Sequence, residues 1–415
     1  MTGPPGTFTR DSVTGMAYGG LALYAYVLYV QGPLLPLLRE ETHLSYAAMS
    51  AHSTLFAAGG IVTNLLYARV SARLRGRRLF WAAAGALALG AALLAVGAWA
   101  GVAYTLAASL ALGVTGATLQ TATAAALSDH HGPFRERALV EANAGASATA
   151  LLAPLAVGAF QATGPGWRVA LFVPSLAAVV LYVACRRVPF GAAPGRDGRG
   201  VAGARERSAP SGPLPARFRL LCTLLGTVVG LEFCVVFYGA PHLSSAVGLG
   251  ADSAATAMSL FAAGSLTGRL VGSSLARPGR ARGLIVAALA VTTAGFLPLW
   301  ATTSTPVALV ALFVTGFGVA NLFPLVLSLA IGVAPEQTER ITARVYLTAS
   351  AAIMCAPLLL GALSDRIGVR PAFGVTAFLI CAAALLVLLD RAPRTPPSTS
   401  HGPPAGRPDP TEVKS

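Results

Sequence analysis

The chain has 415 residues, of which 55% are hydrophobic and only 11% are charged. A soluble protein carries about 25% charged residues, so this chain lacks the polar side chains to cover a water-exposed globule, and a bilayer must solvate much of its surface. The formal charge of +14 does not point to a nucleic-acid partner, because the basic residues fall in short clusters between apolar stretches, with no basic helix and no interleaved aromatic platform.

The first fifteen residues hold one Arg and no apolar core, so no cleavable signal peptide is expected. A spanning helix needs about 20 mostly apolar residues. Six such stretches come first: Thr14–Leu38, Tyr46–Val70, Leu79–Trp99, Val102–Leu127, Ala138–Phe160 and Arg168–Cys185. A connector from Arg186 to Arg217, rich in Gly, Pro, Ala, Ser and Arg, reads as flexible and disordered. Six more follow: Phe218–Ala240, Ser253–Leu275, Gly283–Trp300, Pro306–Val333, Ile341–Leu363 and Pro371–Leu389. The Pro-rich tail, residues 391–415, reads as disordered. No period-two alternation is present, so the expected fold is an all-α membrane protein of twelve transmembrane helices in two six-helix bundles, residues 14–185 and 218–390.

Basic residues crowd the loops on the side of both termini; Arg39, Arg168, Arg366 and Arg370 fall on the other side. The positive-inside rule then predicts cytoplasmic termini and a multi-pass protein of the inner or plasma membrane. Trp99, Trp167 and Trp300 sit at outer helix ends and Trp81 at an inner one, as an aromatic belt does. Lys414 is the only Lys, a bias that fits a GC-rich bacterial genome. Cys185, Cys222, Cys234, Cys355 and Cys381 show no CxxC spacing and read as small packing residues.

The second half repeats the first. Phe56-Ala57-Ala58-Gly59 returns as Phe261-Ala262-Ala263-Gly264, and Val114-Thr115-Gly116 as Val314-Thr315-Gly316. Trp99-Ala100 returns as Trp300-Ala301, and Glu136-Arg137 as Glu339-Arg340. Ala153-Pro154-Leu155 with Gly158-Ala159 returns as Ala356-Pro357-Leu358 with Gly361-Ala362. Two like-oriented bundles of this kind are a transporter plan, since a site between them can open to either side as they rock.

Over nearly its whole length the chain resembles the major facilitator superfamily. That family's loop motif after the second helix is a Gly, three residues, Asp-Arg, one residue, Gly and then basic residues. Here Gly76, Arg77 and Arg78 remain, but Arg73 replaces the Asp. In the second half Gly272, Arg277, Gly279, Arg280 and Arg282 match, but Ala276 replaces the Asp. The fifth-helix antiporter motif is partly kept, with Pro154 and Gly158 present and Ala153 and Val157 in place of glycines. The Arg that many members place in the fourth helix is missing; Leu110 or Gly113 stands there.

Ionisable groups within hydrocarbon cost about 2.5–3.5 kcal/mol at the centre even on lenient scales, so each asks for a reason. Glu232, near the middle of the seventh segment, is a candidate proton-coupling or substrate group; the bland alternative is a protonated Glu holding a backbone carbonyl. The repeat aligns Glu141 with Arg344 and Asn64 with Arg269. The resemblance implies that helices five and eight, and two and eleven, face each other across the halves. Two cytoplasmic gate contacts are therefore expected, Glu141–Arg269 and Asn64–Arg344, closed in the outward-facing state and parted in the inward-facing one. The bland alternative is that both Arg side chains snorkel to lipid phosphates. Tyr24, Tyr29, Gln31, Thr118, Gln120 and Asn321 are candidate cavity-lining residues, though such groups also merely bridge helices. His52 reads as a helix-packing His, His130-His131 as solvated loop residues, and Asp365 as a helix-end cap.

No P-loop, HExxH, GxSxG or metal-ligand spacing is present, so neither ATP drive, catalysis, a metal nor another cofactor is expected. The expected function is secondary active transport of a small organic solute by alternating access, with proton-coupled export favoured over uptake of a neutral or cationic solute. A non-transporting sensor is the different-class alternative, and it would need a folded domain that neither connector nor tail can form. The expected partners are a small-molecule substrate, protons and the lipid bilayer, with the chain acting as a monomer.

Overall fold

The computed structural model describes residues 8–74, 76–97, 100–188, 214–275, 280–334 and 337–390. Most of the expected connector and all of the tail lie outside these residues. The first half comprises α1 (Ser12–Thr42), α2 (Tyr46–Arg73), α3 (Arg77–Gly97), α4 (Val102–His131), α5 (Arg135–Ala162) and α6 (Val173–Cys185). The second comprises α7 (Ala216–His242), α8 (Ala251–Leu275), α9 (Ala281–Ala301), α10 (Thr305–Val319), α11 (Leu322–Val333), α12 (Thr338–Ile367), α13 (Val369–Phe373) and α14 (Val375–Leu389). No strand occurs among the described residues.

Local chemistry sets several of these limits. Asp11 caps α1, its carboxylate accepting from the Thr14 N–H at 3.0 Å, and Ser45 caps α2 through the Ala48 N–H at 3.1 Å. Between them His43 adopts the left-handed conformation that closes α1. The tenth segment, expected as one helix, is broken into α10 and α11 at Ala320–Asn321. Pro324 explains the break, because it has no N–H to offer the Ala320 carbonyl. The sixth and twelfth segments are also two-part: a 3-10 turn, Trp167–Leu171, precedes α6, and α13 precedes α14. Counted this way, twelve segments cross in two sets of six. Ten helical stretches are long and apolar enough to span a bilayer by length and composition; α2 and α8 are the two more polar crossings.

Exposed apolar side chains cluster on peripheral helices: Leu89 and Leu93 on α3, Val179 and Val183 on α6, Phe378 and Leu388 on α14. In water such a surface would aggregate; in lipid it is the solvated face. The bundle interiors are held by small residues. Gly59 of α2 lies against the Leu110 carbonyl of α4, and Gly113 of α4 against the Phe56 carbonyl of α2; a Cβ at either would collide. Gly264 of α8 and Gly316 of α10 repeat the arrangement on the carbonyls of Phe313 and Phe261. The same packing at matched positions makes the two bundles structural copies. Gly166 and Gly368 add to this: they precede the two-part segments with φ of 85° and 86°. The arginines beside them, Arg168 and Arg370, donate to the carbonyls of Ala95 and Ala301 at the ends of α3 and α9.

The halves meet along α5 and α8, α2 and α12, and α1 and α7. We refer to the side where α1 begins and α14 ends as the terminal face. The cross-half contacts concentrate at the opposite face. There Gly158 of α5 lets Thr256 and Asp252 of α8 approach, and its repeat mate Gly361 of α12 receives Ser50, Tyr238 and the Tyr46 carbonyl. The Thr54 hydroxyl also donates to the Met354 carbonyl at 2.9 Å. Toward the terminal face, Asn64 and Leu65 on α2 and Arg344 and Leu347 on α12 are exposed. The cross-half contacts are therefore densest toward the opposite face, and these four side chains toward the terminal face are exposed.

Candidate functional site

Glu232 lies sixteen residues into the 27-residue α7, about 24 Å along a helix of about 40 Å. Its Oε1 is 3.5 Å from the hydroxyl of Tyr29 on α1, the outer limit for a hydrogen bond, so the two halves touch loosely there. Arg269 of α8 enters the same space. Its Nη1 donates to the Ser147 hydroxyl of α5 at 2.7 Å, and its charge is within electrostatic reach of both Glu232 and Tyr29. Tyr24, lower on α1, packs at Gly116 of α4 and lies within electrostatic reach of Tyr29 and of Tyr346 of α12, and the Tyr346 ring packs at 5.9 Å on Phe323 of α11. One carboxylate, one guanidinium and a set of phenols thus converge between the halves. Arg269 was expected nearer the inner end, as a gate residue. It reaches this cluster because its side chain extends toward Ser147 rather than to lipid. Tyr346 was not anticipated, since an aromatic in an apolar run reads as packing.

The other candidate lining residues divide. Gln120 is exposed on α4, and Thr118 is half-buried with its hydroxyl returned to the Val114 carbonyl of its own helix. Gln31 lines no open space: it is 1% exposed and both amide atoms are buried without a partner. It lies two residues from Tyr29, which on a helix is nearly the opposite face. Asn321, at the break before α11, donates to the Gly268 carbonyl at 2.6 Å and sits on Gly272, where any side chain would collide. It therefore bridges α10 to α8 instead of lining a cavity. His52 is fully buried, with Nδ1 on the Ala48 carbonyl and Nε2 on the Thr105 hydroxyl, a bridge from α2 to α4.

Neither expected gate contact is formed in this arrangement. Glu141 accepts a forked pair from Arg10 at 2.8 and 2.9 Å, with Arg137 at 3.2 Å and the Tyr18 hydroxyl at 3.2 Å. Asn64 and Arg344 are exposed, as a parted terminal face requires. Of the loop-motif residues, Gly76 makes a left-handed turn (φ 50°) into α3, which Arg77 and Arg78 open. Arg280 immediately precedes α9 without a side-chain capping bond, and Arg282 donates to the Val387 carbonyl of α14 at 3.1 Å. Arg277 and Gly279 lie outside the described residues. Gly113 abuts the α2 backbone, so a long side chain such as Arg has no room at that position.

Two further clusters were not read from the sequence. At the terminal face the arm before α1 folds onto the α4–α5 turn. Asp11 meets His130 at 2.6 Å, Thr14 meets His131 at 2.8 Å, and the Phe8 ring lies 4.6 Å below the Arg137 guanidinium. His130 and His131 are thus paired rather than merely solvated. Burial pushes the Asp11 carboxyl up, but hydrogen bonds from Thr14 and His130 outweigh it and hold the group below its ordinary value. At the opposite face Asp365, expected to cap its own helix end, instead caps the start of α2 across the halves. Its two oxygens accept the N–H groups of Tyr46 and Ala47 at 2.7 and 2.9 Å. Beside it Arg39 stacks on the Tyr46 ring at 3.7 Å, at the wall of a cavity of about 200 Å³.

The sequence profile described as Major Facilitator Superfamily matches residues 17–227 and again residues 220–414. Among solved structures, a bacterial homologue of the human lysosomal transporter Spinster, inward-facing and occupied, is similar with a TM-score of 0.69 and 14% identity, covering 91% of this chain and 95% of that one. The unoccupied inward-facing form of that homologue gives 0.70 and 13%, over 92% and 97%. The human organic anion transporter MFSD10 (TETRAN) gives 0.63 and 16%, over 92% and 100%. At these identities the likeness is one of fold. No curated protein sequence matches the chain.

Proposed function

The chain belongs to the major facilitator superfamily, and from that premise we propose that it is a secondary active transporter exporting a small organic solute in exchange for protons. The observation that carries this reading is Glu232: an intramembrane carboxylate of one half, set against Tyr29 of the other, where rocking changes what it faces. A proton and a substrate cannot both occupy the same carboxylate oxygen. Binding of one therefore releases the other, which is the elementary requirement of exchange. The arrangement described above corresponds to the inward-facing state, with both termini in the cytoplasm of the cell membrane and the chain working as a monomer.

To turn outward the terminal face must close. Glu141–Arg269 and Asn64–Arg344 are the contacts we assign to that closure. Glu141 would exchange Arg10 for Arg269, and Arg269 would leave Ser147, so one set of charge-assisted contacts replaces another at little net cost. Export rather than uptake is favoured by Pro154 and Gly158, the retained part of the antiporter motif.

The test is transport in inside-out vesicles with an acid lumen, recording lumenal pH as candidate solutes are added. Alkalinisation on addition is expected for the wild type and none for Glu232→Gln. Proton-driven transport at the wild-type rate by Glu232→Gln would remove Glu232 from the coupling role. Proton entry together with solute from the same side would replace export by uptake.

A further inference from the structure

Glu232 and Arg269 share one space but do not pair. No ion pair joins them within 4.0 Å, although salt bridges elsewhere in the chain close to between 2.5 and 3.2 Å. What holds them apart is visible. The Tyr29 hydroxyl stands toward Glu232 Oε1, and the Ser147 hydroxyl takes Nη1 of Arg269. A guanidinium has five N–H donors and a carboxylate two acceptor oxygens. Much of that capacity is unused here: Arg269 reaches Ser147 and the Tyr29 hydroxyl, and Glu232 reaches only that same hydroxyl, so the phenol stands between the two charges. Nor are the two charges sealed away. The buried side-chain polar atoms without partners belong to other residues, Gln31 and Ser109 among them, and none belongs to Glu232 or Arg269. Both side chains are half-buried, and aromatic residues of the facing helices, Tyr24 on α1 and Tyr346 on α12, lie within electrostatic reach of each other nearby.

Two opposite charges left unpaired side by side in a low-dielectric site are complementary to a guest with the same two charges in reverse. A purely cationic guest would leave Arg269 uncompensated and repelling; a purely anionic guest would do the same at Glu232. We propose that the substrate is dipolar, with a cationic nitrogen on Glu232, an anionic group on Arg269, and an apolar or aromatic body against Tyr24 and Tyr346. This inference rests on the transport reading of Glu232 given above and narrows its substrate class. The exchange follows directly, since the ammonium and the proton compete for the same carboxylate, and closure of the terminal face draws Arg269 toward Glu141 and frees the anionic end.

The test uses matched triplets of probes on the purified full-length chain in nanodiscs, read by calorimetry. They are phenylalanine, phenethylamine and 3-phenylpropionate; tryptophan, tryptamine and indole-3-propionate; leucine, isopentylamine and 4-methylpentanoate. In at least one triplet the dipolar member should bind tenfold or more tighter than both singly charged ones. Arg269→Gln should bring it down to the level of the amine without weakening the amine itself. Arg269→Lys, which keeps the charge, should retain part of the preference and guards against misreading a folding defect. An amine that binds as tightly as its dipolar partner in every triplet, equal losses for both in Arg269→Gln, or no binding by any dipolar member would overturn the proposal. Proton release on binding, lost in Glu232→Gln, separates the two readings. Amine selectivity with proton release retains the exchanger and discards the dipolar guest; ligands that bind without proton release discard the exchanger itself.

Discussion

Asp365 offers the most direct handle on the conformational balance. It belongs to the second half, yet its two oxygens hold the first two N–H groups of α2 in the first half. These contacts exist only while the opposite face is shut. A hydrogen bond to a charged group contributes about 1.5–3 kcal/mol when shielded, and a carboxylate at a helix start about 0.3–1 kcal/mol. Asp365 is exposed, so competing water removes most of the first figure and about 1–2 kcal/mol is left for the pair. At about 1.4 kcal/mol per factor of ten, Asp365→Ala should shift the closed-to-open ratio of that face roughly 5- to 30-fold. Asp365→Asn, which loses the charge but keeps one acceptor oxygen, should shift it less. The fold should survive, because Ser45 still caps α2. The assay is a spin-label distance distribution between Glu40→Cys and Ile367→Cys, on opposite halves at that face, after replacing the five native cysteines. The long-distance population should grow in the order wild type, Asn, Ala. Unchanged distributions in both variants would refute the reasoning.

The same labels test the glycine seal. Gly158→Val and Gly361→Val each drive a side chain into the facing half and should open the opposite face at a cost of about 1–3 kcal/mol, as overpacking does, whereas Gly85→Ala, with open space around it, should change nothing. The terminal arm has a predictable acid response. Because the Asp11 carboxyl is held below its ordinary value of 3.8, its contribution is complete above that pH and fades as pH falls further. The melting-temperature gap between wild type and Asp11→Ala should therefore hold from neutrality to about pH 4 and narrow only below it; a gap that closes well above pH 4 would refute the assignment to the Asp11 carboxylate.

Much of this architecture is legible in the sequence because lipid imposes a coarse rule. A run of about twenty apolar residues must be a helix, and each run found its crossing. The repeat was legible for a related reason: Gly59 and Gly264 are held by backbone contact, so nothing larger can stand there, whereas the sequence match of Gly116 with Gly316 is three residues out of register, since Gly113 is the residue that packs as Gly316 does. The helix breaks were harder. Pro324 sits inside a run whose hydropathy never falls, and the break it causes leaves no polar signal. Long-range polar partners were hardest. Nothing local ties Arg10 to Glu141, 131 positions away, or Asp365 to Tyr46, 319 away. Gln31 misled because polarity within a membrane helix names an unusual residue, but only the neighbours decide whether it faces a cavity or the bundle interior. The helical face carries the signal, since Gln31 lies nearly opposite Tyr29.

The repeat also explains why the charged site lies where it does. Tyr29 and Glu232 are 203 positions apart, inside the spread of intervals that the repeat shows elsewhere. They therefore stand at or near equivalent positions of the two copies, and they face each other. A residue that meets its own mate must lie near the axis relating the two copies, because only there do equivalent positions coincide. That axis runs along the membrane normal, so groups near it at mid-depth stay together while the openings above and below them exchange. Contacts off the axis, such as Gly158 with α8 and Gly361 with α12, come in pairs and are made or broken together. A carboxylate facing a phenol near that axis breaks the symmetry away from the paired seals. It also puts a charge within reach of either opening.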